Sequence, residues 1–168
     1  MKDKMKQHFL NFGPKRFVIF TVIILIVLDV INSYYLKIYW LQKDLSHTMV
    51  LQSIKRGELM VEDFSQTTLN EMTAFVNNGF YFFLLLIFAN NLFFYIFYLR
   101  KKLWAQGYVL FYTLTASLFS LTFIFDNAGL GMGWMAYNVL TIPIYIYLYF
   151  GVKLLKLETT LGHEKKGR

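Results

Sequence analysis

Four long runs of uncharged, mostly apolar residues constrain this chain more than any other feature. Residues 17–36 carry a single charge, Asp29; 28 uncharged residues separate Glu71 from Arg100, 23 separate Lys102 from Asp126, and 26 separate Asp126 from Lys153. A helix rising 1.5 Å per residue crosses a hydrocarbon layer of ~30 Å in about 20 residues, so each run is long enough to span a bilayer. The expected fold is an all-α integral membrane protein with four transmembrane helices in an antiparallel bundle. The spans are expected at about 17–38, 76–99, 103–125 and 131–152, within a single membrane domain covering residues 1–168.

Composition closes off the alternatives. Hydrophobic residues make up 57% of the 168 positions before the ten glycines are counted, and only 16% are charged. Soluble domains run at ~45–50% apolar, glycine included, and ~25% charged. A chain this apolar cannot hide its surface in water, which excludes disorder, a disulfide-stapled module and a soluble enzyme. The absence of cysteine removes disulfides, thiolate metal sites and thiol nucleophiles.

The net charge of +7 is a topology signal rather than a nucleic-acid footprint. Lys2, Lys4, Lys6, Lys15 and Arg16 precede the first span, Arg100, Lys101 and Lys102 follow the second, and Lys153, Lys156, Lys165, Lys166 and Arg168 follow the fourth. Thirteen of the seventeen basic residues thus fall on one side, which the positive-inside rule makes cytoplasmic. Both termini, the basic leader 1–16 and the basic tail 153–168, are expected in the cytosol of a plasma membrane or bacterial inner membrane. The Phe17 run follows basic residues as a signal peptide does, but no small-residue cleavage site follows it, so it is read as a retained span.

The segment at about 41–70 is expected outside and partly helical. Ser46 is the expected cap of a helix presenting Val50, Leu51 and Ile54 and stopped by Gly57. Thr68 and Glu71 have capping-box spacing, so the second helix is expected to begin before the membrane and run to about Leu99, unless Asn77-Asn78-Gly79 breaks it. In the leader, Met5, Phe9 and Phe12 recur on one face before Gly13-Pro14, the pattern either of an interfacial helix or of a leader that serves only the charge rule.

Asp29 is the leading candidate for chemistry, roughly 13 Å inside the first span. An ionised group at that depth costs ~2.5–3.5 kcal/mol, so it must face protein, water or a partner. Asn32 and Ser33 share its face. With Asn90 and Asn91 in span two, Ser117 and Ser120 in span three and Asn138 in span four, it forms a candidate polar level, read either as the lining of a hydrated path or as a hydrogen-bonded network between helices. Thr113, Ala116, Ser117 and Ser120 mark a close-packing seam, and Pro143 a helix kink near Val139. Gly129, Gly131 and Gly133 are read as a tight turn, since no strand and no Lys-Ser/Thr pair accompany them as a phosphate loop requires. Aromatic residues near span ends, Tyr34, Tyr35, Tyr39, Trp40, Tyr95, Tyr98, Trp104, Tyr108 and Tyr145 among them, are assigned to interfacial belts.

His8, His47 and His163 lack metal-ligand spacing, and Asp29 has no second intramembrane carboxylate. No catalytic constellation, cofactor or metal is therefore expected. The functional expectation is a homo-oligomeric channel or transport subunit with its polar level around Asp29. The alternative is a non-catalytic accessory or scaffold protein binding other membrane proteins. Its partners are the lipid bilayer, further copies of itself and other membrane proteins, and nucleic acid is not among them. Four spans with a sizeable first external segment resemble the plan of several large-pore channel families, although those usually carry loop cysteines, which this chain lacks.

Overall fold

The computed structural model describes residues 2–125 and 131–166. Those residues are helical almost throughout: α1 (Lys2–Phe12), α2 (Pro14–Gln42), α3 (Leu45–Arg56), a 3-10 turn (Val61–Asp63), α4 (Gln66–Leu99), α5 (Leu103–Phe125) and α6 (Gly131–Lys166). Four of them, α2, α4, α5 and α6, are long and apolar enough to cross a membrane, at the expected places in the chain. The expected turn at Gly129 lies outside the described residues.

The chain divides into two compact units, one of residues 1–28 with 91–168 and the other of residues 29–90. In the first unit α5 and α1 both pack on α6. The buried positions of α6 include Trp134, Asn138, Thr141, Tyr145, Leu148 and Val152, spaced alternately by four and three residues, with Gly151 and Leu154 buried beside the last of them. That spacing keeps one stripe facing its neighbour along several turns. Ala105, Val109, Thr113 and Ser120 form the buried stripe of α5, and Phe17, Thr21, Leu25 and Leu28 that of α2. The expected seam on α5 is thus partly a packing face, with Ala116 and Ser117 half-buried beside it.

The faces turned outward are no less apolar than those turned inward. Ile19, Ile23 and Val27 on α2, Phe111, Leu114 and Leu118 on α5, and Leu140 and Ile144 on α6 are all exposed. Water would penalise such surfaces over several turns of three helices; hydrocarbon does not. Pro143 sits exposed inside α6, and the helix continues through it.

The leader forms a true helix that docks. Gly13, at φ +89°, turns the chain between α1 and α2, a conformation that costs glycine little, and Pro14 opens α2 where a missing amide hydrogen is harmless. This brings the Phe9 ring within 5.1 Å of both the Phe17 and the Tyr147 rings. His8 Nε2 lies 3.1 Å from the Tyr147 hydroxyl.

In the second unit, Val50 and Ile54 of α3 are buried with Leu69 of α4, packed by Val61, Phe64, Met72 and Val76. Two capping expectations need correction. Asp44, in the left-handed region at φ 44°, is the N-cap of α3, and Ser46 lies buried inside the first turn. Only Lys43 and Asp44 separate α2 from α3, too few for a separate extended cap residue. At α4 the cap is Ser65, whose Oγ accepts the Thr68 amide at 3.1 Å; Thr68 is therefore third in the helix rather than its cap. Gly57 does stop α3, yet the left-handed residue of that stop is Glu58, at φ 57°. α4 runs unbroken through Asn77-Asn78-Gly79 for 34 residues, about 51 Å.

Gly151 is the tightest point of the first unit. A Cβ added there would overlap the Phe17 ring, which is wholly buried against Phe9 and Tyr147. Gly151→Ala is expected to cost about 1–3 kcal/mol through overpacking. Combined with Phe17→Leu, the loss should fall short of the sum of the two single variants by about 0.5–3 kcal/mol, because the smaller side chain vacates the space. Thermal unfolding in detergent reads both numbers.

Candidate functional site

Each helical position decides whether a polar side chain meets protein or the outer surface, and the candidates divide accordingly. Asp29 is buried on α2 and engaged in a polar interaction, while Asn32 and Ser33, one turn on, are half-buried. Asn91 is buried on α4, whereas its neighbour Asn90 is exposed, as a 100° step around a helix allows. Ser120 and Asn138 are buried and Ser117 is half-buried.

Two hydrogen-bonded groups emerge in the first unit. The Tyr108 hydroxyl of α5 donates to Asn91 Oδ1 of α4. Further along α5, Ser120 Oγ accepts from Thr141 Oγ1 at 3.3 Å, and Thr141 lies 3.1 Å from the Asn138 carbonyl oxygen. The Asn138 carboxamide in turn donates to the Trp134 carbonyl at 2.9 Å. Tyr108 and Ser120 stand twelve residues apart on one helix, about 18 Å along its axis. Asn91 and Ser120 therefore belong to separate levels, not to the single polar level expected of them.

Both groups satisfy buried polar atoms by bonding one helix to the next or to its own backbone, as side chains must where water is absent. Thr141 and Tyr108 were not among the candidates. The signal for Thr141 was there in the spacing: it lies three residues after Asn138 and so shares its face. Tyr108 belongs to an aromatic cluster that also departs from expectation. Its ring stacks on Phe94 with centroids 3.7 Å apart, and Tyr95 and Tyr145 flank Tyr112 at 6.4 Å each. Tyr95, Tyr98 and Tyr145 are buried rather than interfacial, and Tyr98 hydrogen-bonds Thr21. Tyrosine serves both demands here, a large apolar ring and a hydroxyl that needs a partner.

The second unit holds a different kind of feature. Trp40 Nε1 donates to Asn77 Oδ1 at 2.8 Å, and its ring lies flat on Phe80 at 4.0 Å. This clamp joins α2 to α4 and gives Trp40 a role beyond an interfacial belt. Between α3 and α4 lies an open cleft of about 370 Å³, lined by Met49, Val50, Ser53, Glu71, Met72, Phe75 and Val76. Phe75 is 79% exposed and Met49 nearly half exposed, so the mouth of the cleft is apolar. Its two polar groups are the Ser53 hydroxyl, which donates to the Met49 carbonyl at 2.9 Å, and the Glu71 carboxylate. Its size is that of a small-ligand site or of the seat for a few side chains.

Among the described residues, no three His, Asp or Glu side chains converge as metal ligands would. No protein-family model, curated protein or solved structure matches the chain.

The hydrogen bonds between α4 and α5 and between α5 and α6 are open to double-variant cycles. Asn91→Ala with Tyr108→Phe is expected to show a coupling of about 0.6–2 kcal/mol in detergent unfolding, and Ser120→Ala with Thr141→Val a coupling toward the lower end of that range. Additive losses at Asn91 and Tyr108 would show that their bond contributes nothing.

Proposed function

We propose that this is an integral membrane protein crossing the bilayer four times as an antiparallel bundle, with both ends in the cytosol, and that it works by binding other membrane components without catalysing a reaction. The observation that carries the reading is the cleft between α3 and α4. In this topology it stands on the outer side, where α4 projects past a ~30 Å hydrocarbon layer. Exposed Phe75 and Met49 at its mouth supply the apolar anchor surface on which recognition usually depends. Among the polar candidates, Asn91 and Ser120 take part in hydrogen bonds between helices, and Asn138 bonds the backbone of its own helix.

A second reading, a homo-oligomeric channel or transport subunit, is favoured by Asp29. A buried carboxyl group in the middle of an apolar helix is costly, and such groups commonly mark ion or proton paths. One subunit of four helices has little room for a conduit, so the path would run between copies. Proteoliposomes that pass ions or small solutes, and lose that flux with Asp29→Asn, would favour this reading over the first.

The absence of cysteine makes the topology directly testable. In intact cells, Met60→Cys should react with a membrane-impermeant maleimide, while Met5→Cys should react only after permeabilisation; labelling of Met5→Cys from outside overturns the topology. A photoreactive amino acid at position 75 should then yield adducts with other membrane components in native membranes, and the same probe at Leu118 markedly fewer. Adducts only with further copies of this chain at position 75 would remove the accessory reading.

A further inference from the structure

The turn between α4 and α5 gathers cations and aromatic rings in a way that the turn itself does not require. Arg100, Lys101 and Lys102 are consecutive and exposed. No acidic residue lies between Glu71 and Asp126, so the nearest carboxylates along the chain come only near the far ends of the two helices. At the end of α4 the Lys102 amide donates to the Phe97 carbonyl at 3.1 Å and the Lys101 amide to the Tyr98 carbonyl at 2.9 Å. This stop puts Lys101 in the left-handed region at φ 55°, a conformation that glycine or asparagine takes at lower cost than lysine. The positive-inside rule counts charges and is indifferent to backbone conformation. Orientation in the membrane therefore accounts for the cations but not for a lysine at that position. Against the turn stands an aromatic wall. The Trp104 ring lies 4.9 Å from Phe97, 5.5 Å from Phe94 and 6.1 Å from Phe93, and Trp104 and Phe93 are each about half exposed. The Arg100 guanidinium lies over the Phe97 ring at 5.7 Å, so charge and wall meet.

We propose that this turn and wall hold an anionic phospholipid, its phosphate at Arg100, Lys101 and Lys102 and an acyl chain along Trp104 and Phe93. The proposal rests on the four-span part of the function proposed above and is independent of the cleft. Charge complementarity selects the headgroup: three cations with no acid near them on their own helices attract a phosphate, as basic pockets beside transmembrane helices do. The guanidinium fork of Arg100 matches phosphate oxygens in pairs, and the two ammonium groups add point charges beside it. The wall selects a lipid over a free phosphate. Phe93 stands about 10 Å from Arg100 along α4, where an acyl chain joined to the headgroup finds a surface and an inorganic ion finds none. Trp104 suits the junction, with an apolar body for the chain and an N–H for the polar layer above it.

Lipids brominated on the acyl chain report on the site, because bromine quenches only the indoles it approaches. The full chain is reconstituted in phosphatidylcholine vesicles holding a minor share of brominated phosphatidylglycerol or, in parallel, of brominated phosphatidylcholine. Each protein is read against its own Trp104→Phe form, which removes the contribution of Trp40 and Trp134. Quenching of Trp104 is expected to be stronger with brominated phosphatidylglycerol. Lys101→Asn should lower that preference about fivefold, the effect of one cation near an anionic surface. Its thermal unfolding should hold or rise, since asparagine suits the left-handed position. Lys102→Gln should lower the preference similarly without touching that position. Lys153→Gln, which removes an exposed cation from α6, should leave it unchanged. Equal quenching by the two lipids reduces Trp104 to a belt residue and overturns the proposal. A preference that survives Lys101→Asn and Lys102→Gln, or that Lys153→Gln lowers as much, overturns it too, since diffuse attraction to the whole basic face would do either. Both leaflets of these vesicles carry the same lipids, so a failure here leaves the topology standing, and an inverted topology found by maleimide labelling leaves the preference measurable.

Discussion

The buried stripe of α6 is the constraint on which the rest of its unit depends. Trp134, Asn138, Thr141, Tyr145, Leu148 and Val152 keep one line of the helix turned inward over five turns, and α5 lies along that line. Gly151 falls beside the last of these residues and opens the gap that the Phe17 ring fills. Phe17 then receives Phe9, so the amphipathic leader is held by the same end of α6. Packing of this kind relies on contact and hydrogen bonding, since lipid tails offer no hydrophobic penalty that would drive helices together. The small residues and threonines of α5, Ala105, Thr113 and Ser120, are where they are because bulk there would separate the pair.

Much of this was legible from residue order. Charge-free length marked the four long helices, and Gly13-Pro14 marked the break before the first. What stayed hidden was which side of each helix faces protein. In a soluble helix polarity answers that question, because one face is wet. Here both faces are apolar: Leu25 is buried and Ile23 exposed, although hydrophobicity does not tell them apart. The same ambiguity misplaced the tyrosines. Tyr95, Tyr98 and Tyr145 lie where belt residues are expected by position, yet their rings pack inside and Tyr98 finds Thr21. Caps were misread for a simpler reason. Ser65 and Thr68 both have capping chemistry three residues apart, and only the path of the backbone decides between them.

The polar candidates show how a residue type can suggest chemistry and serve structure. Seven hydroxyl or amide side chains and one carboxyl group, spread over four apolar runs, invite a hydrated path. Once placed on helices, Ser120 and Tyr108, the partner of Asn91, stand about 18 Å apart along α5, and the Asn91 and Ser120 side chains bond different neighbours. A path needs groups that face one another across open space and stay available to water. A bond such as Tyr108 to Asn91 consumes the very atoms a solute would need. Asp29 remains distinct because a carboxyl group has a protonation state to change as well as bonds to make.

Adjacent asparagines on α4 carry this distinction to a single pair of residues. At 100° per residue, positions 90 and 91 cannot both face the same neighbour. Asn91 turns inward and ends on the Tyr108 hydroxyl; Asn90 turns outward among Phe83, Leu86 and Phe93. The bilayer treats the two amides alike, since each is expensive in hydrocarbon without partners. The chain answers this for both: Asn91 bonds a side chain of the neighbouring helix, and Asn90 too is engaged within the chain. A dipeptide that looks redundant in the sequence thus places one amide between helices and the next on the outer surface of α4.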